Sequence, residues 1–292
     1  MYVHTFYQKV SLKSHSVKKQ SQKIMVCKLS QQQVNIHREN PWGFNTVNFI
    51  SGCCHDCRYC FQKSYSVRVG RKTRENWKDE VVNPDFINWE VKYYEGGFMF
   101  PQSHDITPQH LDENIIMIRK ILTPGNKIFL VTKPHLECVK RICSEFYNYR
   151  DTLHFCFTIG STNSDTLKFW EPGGTTFEER LKCLKLGYDL GFKTSVSSEP
   201  LLDTNIDDLV KKLTPYITHH LWIGKMNNPK QMLGMNGFTN DSETMERVEE
   251  LIRFQNDPQI IRHYYEKYLD NPKIEWKENF RKEILNDTEK MC

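Results

Sequence analysis

The sequence has no long apolar segment. None of its apolar runs approaches the roughly 20 residues that a membrane helix requires, and the first residues lack the apolar core of a signal peptide. The apolar fraction of 38%, with 12% aromatic residues, is nevertheless sufficient for a substantial core. We therefore expect a soluble, cytoplasmic protein with no membrane partner.

A disulfide framework is also absent. Six of the ten cysteines are scattered along the chain without regular spacing. They are Cys27, Cys138, Cys143, Cys156, Cys183 and Cys292. Most of them have apolar neighbours, so we interpret them as small buried groups of a protein in a reducing compartment.

Acidic residues are almost missing from the first 40 positions. This segment contains seven lysines and arginines but a single acid, Glu39, so its net charge is +6 and the rest of the chain carries −2 of the total of +4. A basic arm can bind phosphates, which makes nucleic acid one candidate partner. A solvated tail is the alternative interpretation, and the polar composition favours it.

What the sequence does contain is a concentrated group of thiols at residues 53–60, Cys-Cys-His-Asp-Cys-Arg-Tyr-Cys. Cys53, Cys57 and Cys60 have the spacing C-x3-C-x2-C. An iron–sulfur cluster normally takes four cysteines, so three leave one coordination position open. An open position is typical of reaction centres, because structural metal sites are usually closed. A zinc site completed by Cys54 or His55 is the alternative, but no C-x2-C or H-x3-H pair occurs elsewhere.

With the aromatic Tyr59 immediately before its last cysteine, this loop resembles that of the radical SAM superfamily, C-x3-C-x-aromatic-C. The resemblance implies a [4Fe-4S] cluster on the three cysteines, with S-adenosylmethionine bound to the remaining iron through its amino and carboxylate groups. It also implies that one electron, from a flavodoxin- or ferredoxin-like donor, breaks the sulfonium bond. The product would be a 5′-deoxyadenosyl radical that abstracts hydrogen from a substrate.

Strand-like and helix-like segments alternate along most of the chain. The patterns predict six strands, each followed by a helix or a long connection. The predicted strands are 45–51, 98–100, 127–133, 153–159, 192–198 and 220–224. Such alternation is typical of a parallel sheet with outer helices. We therefore predict an α/β fold with a partial (β/α)6 TIM-type barrel over 41–230, a basic N-terminal extension over 1–40 and a helical C-terminal cap over 231–292.

Capping signals place several helix starts. Thr107 precedes Pro108 and is the expected N-cap of one helix. The segment 175–180 opens another helix with capping-box spacing. In the C-terminal region, Asp241 is expected to cap a helix and Ile274 to begin the last one.

Parallel barrels build their sites at the C-terminal ends of the strands, so the polar residues at those ends are the candidate site. They are Gln102, Ser103, His104, Asp105, Thr132, Lys133, Thr158, Ser161, Ser197, Glu199, Lys225 and Asn227, together with the cysteine loop and its Tyr59. For S-adenosylmethionine, Lys133 or Ser103 suits the carboxylate, Tyr59 offers a face for adenine, and Ser197 or Glu199 suits the ribose hydroxyls.

Within the superfamily, residues 41–230 are most similar to the spore photoproduct lyase-like branch and its uncharacterised relatives. The similarity rests on Ser103-His104-Asp105, on Val131-Thr132-Lys133, and on Trp170-Glu171-Pro172-Gly173 before Glu178-Glu179-Arg180-Leu181. By this resemblance, Lys133 and the Gln102-Ser103 turn contact the cofactor carboxylate.

The chain departs from that pattern in two places. Many members of the superfamily hold the cofactor amine with Gly-Gly-Glu at the end of the second strand, whereas here Gly96 and Gly97 precede the strand and no Glu follows them. The lyase also has a hydrogen-donor cysteine two residues before its strand-two serine, where this chain has Pro101. The amine ligand therefore stays open, and the lyase's own repair reaction is disfavoured.

Two functions are consistent with the sequence. The first is a radical S-adenosylmethionine enzyme acting on an unidentified substrate, and polar residues at six successive strand ends favour it. The second is a non-catalytic iron–sulfur or zinc-binding module of a nucleic-acid-associated protein. Cys54, His55, His104 and Cys156 have either a role in the chemistry or a packing role.

Overall fold

A sheet of seven parallel strands organises the protein, of which the computed structural model describes residues 44–281. The strands of the protein are β1 (Asn45–Thr46), β2 (Ile50–Ser51), β3 (Val81–Val82), β4 (Phe98–Phe100), β5 (Ile128–Thr132), β6 (Leu153–Thr158), β7 (Lys193–Ser198), β8 (Leu221–Ile223) and β9 (Ile274–Trp276). The order in the large sheet is β1-β4-β5-β6-β7-β8-β9, with every neighbouring pair parallel. From β4 to β9, each strand therefore pairs with the next strand along the chain, and β1 and β9 form the two edges of the sheet.

The large sheet curves into an open barrel. Phe129 on β5 and Trp222 on β8 are separated by two strands, yet their ring centroids lie 5.6 Å apart. Three strand spacings in a flat sheet would place them about 14 Å apart. The face that carries these rings is therefore concave. The predicted α/β partial barrel is confirmed, and five of the six predicted strands occur undivided and parallel in this sheet.

The first predicted strand, 45–51, is split into two. β1 joins the large sheet beside β4, whereas β2 pairs antiparallel with β3. Val47 and Phe49 lie between the two strands and are buried, so their apolar alternation belongs to a packed connection. The chain then turns at Gly52, which has φ +97°. A Cβ at Gly52 would lie 2.6 Å from the carbonyl oxygen of Asp79, so this turn requires glycine.

Helices connect and flank the strands of the sheet. They are α1 (Phe61–Arg68), α2 (Leu111–Leu122), α3 (Leu136–Glu145), α4 (Ser164–Trp170), α5 (Phe177–Asp189), α6 (Ile206–Leu213), α7 (Pro229–Met235), α8 (Ser242–Gln255) and α9 (Pro258–Lys267). α2, α3 and α6 follow β4, β5 and β7, and the pair α4 and α5 follows β6. These strand–helix units are the ones that the alternating sequence pattern predicts.

The capping predictions are mostly confirmed. Thr176 caps α5 through the amide of Glu179, and Asp241 caps α8 through the amide of Thr244. Thr107 is the N-cap residue and Pro108 the first residue of a short 3-10 helix, as predicted, but the Thr107 side chain makes no cap hydrogen bond and α2 begins only at Leu111. The Thr107 hydroxyl instead donates to the buried carboxylate of Glu80.

Alternate residues of each strand face the helices and the barrel interior. On β5, Ile128, Leu130 and Thr132 are buried, while Phe129 and Val131 stay partly exposed on the inner face. The strand register places Val131 beside Cys156 of β6. Residues that pair in register in this way line the same face of the barrel.

The C-terminal region adds a strand where a helix was predicted. Ile274–Trp276 forms β9, which pairs in parallel with β8. Ile274 and Trp276 are buried against the core, and this burial explains why the apolar alternation produces an edge strand there. α8 and α9 precede it as the predicted helices of the cap.

The predicted basic extension, residues 1–40, lies outside the described residues. Within the described part of the chain, none of the helices has both the length and the apolar character of a membrane span.

Candidate functional site

The cysteine loop connects β2 to α1 at the C-terminal end of the barrel strands. The amide of Cys53 donates to the carbonyl oxygen of Trp77 at 3.0 Å. At the other end of the loop, the thiol sulfur of Cys60 is the N-cap of α1 and accepts a hydrogen bond from the amide of Lys63 at 3.3 Å. A helix N-terminus favours a negative group, so this position suits a thiolate.

The loop after α4 lies directly on the cysteine loop. The amide of Arg58 donates to the carbonyl oxygen of Trp170 at 2.9 Å, and the amide of Gly173 donates to the carbonyl oxygen of His55 at 3.0 Å. A Cβ at Gly173 would lie 2.1 Å from the carbonyl oxygen of Cys54. The backbone of the cysteine loop is therefore fixed by a close approach that only glycine permits.

Glu80 fixes the same loop from the other side. Its buried carboxylate accepts the amide of Cys54 at 3.0 Å and the hydroxyl of Thr107 at 2.9 Å. Burial, and next the charge of Glu80, raises the pKa of the Cys54 thiol to about 12.

The three motif cysteines have thiols that resist ionisation in the absence of a positive partner. Burial raises the pKa of Cys53 and of Cys57 well above the usual value, and it raises that of Cys60. The charges of the neighbouring thiols and of Asp105 act in the same direction, whereas the Lys133 ammonium opposes them. Two of the three cysteines, Cys53 and Cys57, are buried, and Cys60 is partly buried. Sulfurs that repel one another as thiolates in such a loop fit a cationic iron–sulfur group, which removes that repulsion.

Asp105 is the centre of a buried polar array beside these thiols. Its Oδ1 accepts the amide of Lys133 at 2.7 Å and the hydroxyl of Thr132 at 3.0 Å, and its Oδ2 lies 3.4 Å from the Lys133 Nζ. Although burial opposes it, the charge of Lys133, followed by that of His55, holds the pKa of Asp105 well below its usual value. The negative charges of Asp105 and then Cys57 raise the pKa of Lys133 well above its usual value, although burial opposes this shift too. Lys133 therefore stays a cation next to the thiols.

His55 joins this array to a second histidine. Its Nδ1 lies 2.8 Å from the Oδ2 of Asp105, and its Nε2 lies 2.7 Å from the Nε2 of His135. Burial, and then the nearby His55, lowers the pKa of His135 to about 4. Both ring nitrogens of His55 therefore have a hydrogen-bond partner within the protein.

A second buried array lies around Tyr59. The Tyr59 hydroxyl donates to Glu171, whose other carboxylate oxygen pairs with the Arg180 guanidinium at 2.5 Å. The side chains of both members of the ion pair have 0% exposure. Arg180 also donates to the carbonyl oxygen of Thr158 at 3.1 Å. The predicted site residues Tyr59 and Thr158 are thus brought together by two residues that were not assigned to the site.

Other predicted residues line the mouth of the barrel. Thr158 and Ser197 are paired in register on the inner face, at the ends of β6 and β7. Glu199 follows β7 and its Oε2 pairs with the Nζ of Lys277 at 3.1 Å. Cys156 lies on the same face, two residues before Thr158 and further from the mouth. It is buried, and burial raises the pKa of its thiol.

Gln102 and Ser103 lie to the side of this mouth. Their amides donate to the Oδ1 of Asn48, at 3.2 and 2.9 Å. Both residues line a groove of about 950 Å³ that also contains Gly52 and Phe61. The structure therefore groups Lys133 and Tyr59 with the cysteines, Thr158, Ser197 and Glu199 with the barrel mouth, and the Gln102–Ser103 turn with this groove.

Sequence reasoning did not assign several residues that hold the site together. They are Glu80, His135, Glu171 and Arg180. Glu171 and Arg180 lie in two of the segments that carry the family resemblance, and this resemblance was the signal that could have assigned them to the site. Glu80 and His135 have no local sequence signal, since their partners lie 26 and 80 residues away.

A further set of donor atoms comes from this same region. The ligand atoms of Cys53, His55 and Asp105 lie within 4.8 Å of one another, and no other such group occurs in residues 44–281. Of these three residues, only Cys53 belongs to the C-x3-C-x2-C motif. All eight cysteines of the described chain are free of disulfide bonds.

Comparisons with known proteins identify the family of this site. The sequence model of the Radical SAM superfamily matches residues 47–214. Two structures of spore photoproduct lyase mutants match as well, the second of them with dinucleoside spore photoproduct. The first has 17% sequence identity and a TM-score of 0.49 and covers 80% of this chain and 75% of its own. The second has 15% identity and a TM-score of 0.48 and covers 80% and 76%. No curated protein sequence matches the chain.

Proposed function

The chain belongs to the radical SAM superfamily, and we propose that Cys53, Cys57 and Cys60 hold a [4Fe-4S] cluster that works with S-adenosylmethionine on a substrate in the barrel. The observation that carries the proposal is the position of the motif thiols beside Lys133. The Cys53 Sγ lies 3.8 Å from the Oδ2 of Asp105, which in turn lies 3.4 Å from the Nζ of Lys133. When bound, the cluster supplies the electron that cleaves S-adenosylmethionine to methionine and a hydrogen-abstracting 5′-deoxyadenosyl radical.

The buried arrays position the groups that would receive the cofactor. Lys133 is held by Asp105 through both its amide and its ammonium group. Its charge is therefore available to the methionine carboxylate at a fixed place beside the cysteines. The hydroxyl of Tyr59 is fixed by Glu171, so its ring keeps one orientation and offers a stable face to the adenine.

The barrel mouth supplies the polar partners for the ribose. Ser197 and Thr158 lie side by side at the ends of their strands, and Glu199 is oriented by Lys277. Hydroxyl and carboxylate groups are suitable partners for two neighbouring sugar hydroxyls. The inner face below them would receive the substrate, because radical chemistry requires a site that excludes water and competing donors.

A reconstitution experiment tests this function. The protein is purified without oxygen, loaded with iron and sulfide, reduced with dithionite and supplied with S-adenosylmethionine. We expect 5′-deoxyadenosine from the wild type and none from Cys57→Ala. The matched control is Cys54→Ala, which removes the thiol held near Glu80 and should leave both the cluster and the product in place.

The result that would overturn the proposal is zinc in place of iron, with no S-adenosylmethionine bound. That outcome would favour a non-catalytic metal-binding module. An equal loss of the cluster in Cys54→Ala and Cys57→Ala would instead show that the proposed set of three ligands is wrong.

A further inference from the structure

The first turns of α1 and the segment after it form a basic surface beside the cysteine loop. Residues 61–74 contain five lysines and arginines and no acid. Lys63 is buried and pairs with Asp56, but Arg68 and Arg71 are exposed and form no ion pair with any described residue. Their guanidinium groups instead lie 5.5 and 5.8 Å from the ring centroid of Tyr65.

An exposed aromatic side chain marks the end of this surface nearest the cysteines. Phe61 is 60% exposed, and its ring stacks on Tyr65 with the centroids 6.4 Å apart. A large exposed apolar side chain among cations is typical of a contact surface. We define the docking patch as Phe61, Tyr65, Arg68 and Arg71.

The docking patch lies along the groove of about 950 Å³, and this groove approaches the cysteines at two points. Phe61 is bonded to Cys60, and Gly52, which also lines the groove, is bonded to Cys53. The groove contains none of the inner-face residues Cys156, Thr158 and Ser197. A partner seated there would be one residue away from two of the three sulfur ligands without entering the substrate space.

We propose that the docking patch binds an acidic one-electron carrier protein of the flavodoxin or ferredoxin class. The inference rests on the proposed function, because reductive cleavage of S-adenosylmethionine consumes one electron per event. In each encounter the carrier is oxidised by one electron and the cluster is reduced by one, with no atom transferred. Carriers of this class are acidic, so the two exposed arginines provide complementary charge that steers the encounter.

The position of the patch favours a protein carrier over a nucleic acid. Stacking and arginine contacts also suit a single strand. The groove, however, reaches residues bonded to two of the cluster ligands, Gly52 and Phe61, and a partner that exchanges electrons with the cluster has to bind close to it. Binding of single-stranded DNA is therefore an outcome of the test that opposes the proposal.

The experiment compares Arg68→Glu/Arg71→Glu with the wild type, both reconstituted. Lys140→Glu/Lys211→Glu is the matched control, since it reverses two exposed charges on α3 and α6. Calorimetry at low ionic strength measures the affinity for flavodoxin and for a [2Fe-2S] ferredoxin. Stopped-flow spectroscopy measures the rate at which the cluster oxidises reduced flavodoxin. We expect the patch variant to lose about tenfold or more in affinity and rate for at least one carrier, and the control to behave as the wild type.

A second variant and a chemical reductant separate the possible outcomes. Phe61→Ser should slow electron transfer, with the cluster content unchanged. Dithionite needs no docking, so it should support 5′-deoxyadenosine formation equally in all variants. Failure with dithionite in the wild type would contradict the proposed function and not the docking surface.

Three results would overturn the docking proposal. The first is equal carrier binding by the patch variant and the wild type. The second is no binding of either carrier to the wild type. The third is patch-dependent binding of a short single-stranded DNA in place of the carriers.

Discussion

The amide of Gly173 donates a hydrogen bond to the carbonyl oxygen of His55 at 3.0 Å, which presses the loop after α4 against the cysteine loop. Nothing larger than glycine fits at position 173, because a Cβ there would lie 2.1 Å from the carbonyl oxygen of Cys54. The position of the thiols thus depends on a residue more than a hundred positions further along the chain.

Replacing this glycine should therefore disturb the metal site first. In Gly173→Ala the cysteine loop has to move away, so we expect the iron content after reconstitution to fall to a small fraction of that of the wild type. Iron and sulfide analysis with the visible absorption spectrum measures this. Gly234→Ala is the control, since Gly234 lies within α7 and the atom nearest to an added Cβ would be the Thr239 Oγ1, at 3.3 Å. Normal iron content in Gly173→Ala would show that the close contact of residue 173 with the cysteine loop does not determine the metal site.

Breaking the buried ion pair of Glu171 and Arg180 should strongly destabilise the protein. Arg180→Met leaves the Glu171 carboxylate buried without its partner, and such losses cost about 3–5 kcal/mol of the free energy of unfolding. Urea denaturation of the metal-free protein measures the change. The double variant Glu171→Leu/Arg180→Met should recover part of the loss, because it leaves no unpaired buried charge.

An exposed ion pair provides the control for this measurement. Arg141→Met removes a partner of Glu145 on the surface of α3 and should change the stability little. If Arg180→Met and Arg141→Met have the same small effect, the buried pair does not stabilise the loop.

Acid should destabilise the protein through His104. Burial lowers the pKa of this imidazole from 6.5 to about 4. The unfolded chain takes up a proton near pH 6.5 and the folded chain only near pH 4. The free energy of unfolding therefore falls as the pH drops through this window, by about 3 kcal/mol, and this histidine causes no loss above it.

The variant His104→Phe tests the acid effect, since the ring packs edge-on against Phe49 and Phe100. Urea denaturation across the window should give a shallower dependence on pH for the variant than for the wild type. His135, with its pKa lowered to about 4, has the same sign and keeps part of the slope. Identical slopes in the two proteins would contradict the assignment.

Removing the charge of Lys133 should weaken the binding of S-adenosylmethionine. Lys133→Met deletes the cation that Asp105 fixes beside the thiols, so we expect a loss of about tenfold or more in affinity. Lys133→Arg keeps the charge and should retain more of the binding. Equilibrium dialysis with the reconstituted protein measures the affinity, and iron analysis shows whether the cluster is intact. Unchanged affinity in Lys133→Met would remove this residue from the cofactor site.

Residues whose partners are close in sequence were predicted well. The spacing of Cys53, Cys57 and Cys60 is a property of one loop, and the caps at Thr176 and Asp241 involve amides three residues away. The strand order follows because each strand–helix unit returns beside the previous strand. Local backbone geometry and hydrophobic period are sufficient for all of these features.

The same local reasoning was incomplete or wrong where the tertiary environment changed the outcome. Thr107 occupies the predicted N-cap position, yet its hydroxyl bonds to Glu80, 27 residues away, and not to the helix. Ile274 was predicted to begin a helix, but the open edge of β8 offered unpaired backbone groups and took residues 274–276 as a strand.

The sequence by itself thus determined the family and the barrel, because these depend on the short-range spacing of Cys53, Cys57 and Cys60 and on the repeating strand–helix pattern. Only the tertiary structure decided that Glu171, 112 residues from Tyr59, and Arg180 lie beneath the cysteine loop. It also decided that Lys133 is held by Asp105 and that Phe61 opens onto a basic groove. The physical reason is that buried charges must find partners wherever packing places them, and packing joins residues without regard to their distance along the chain.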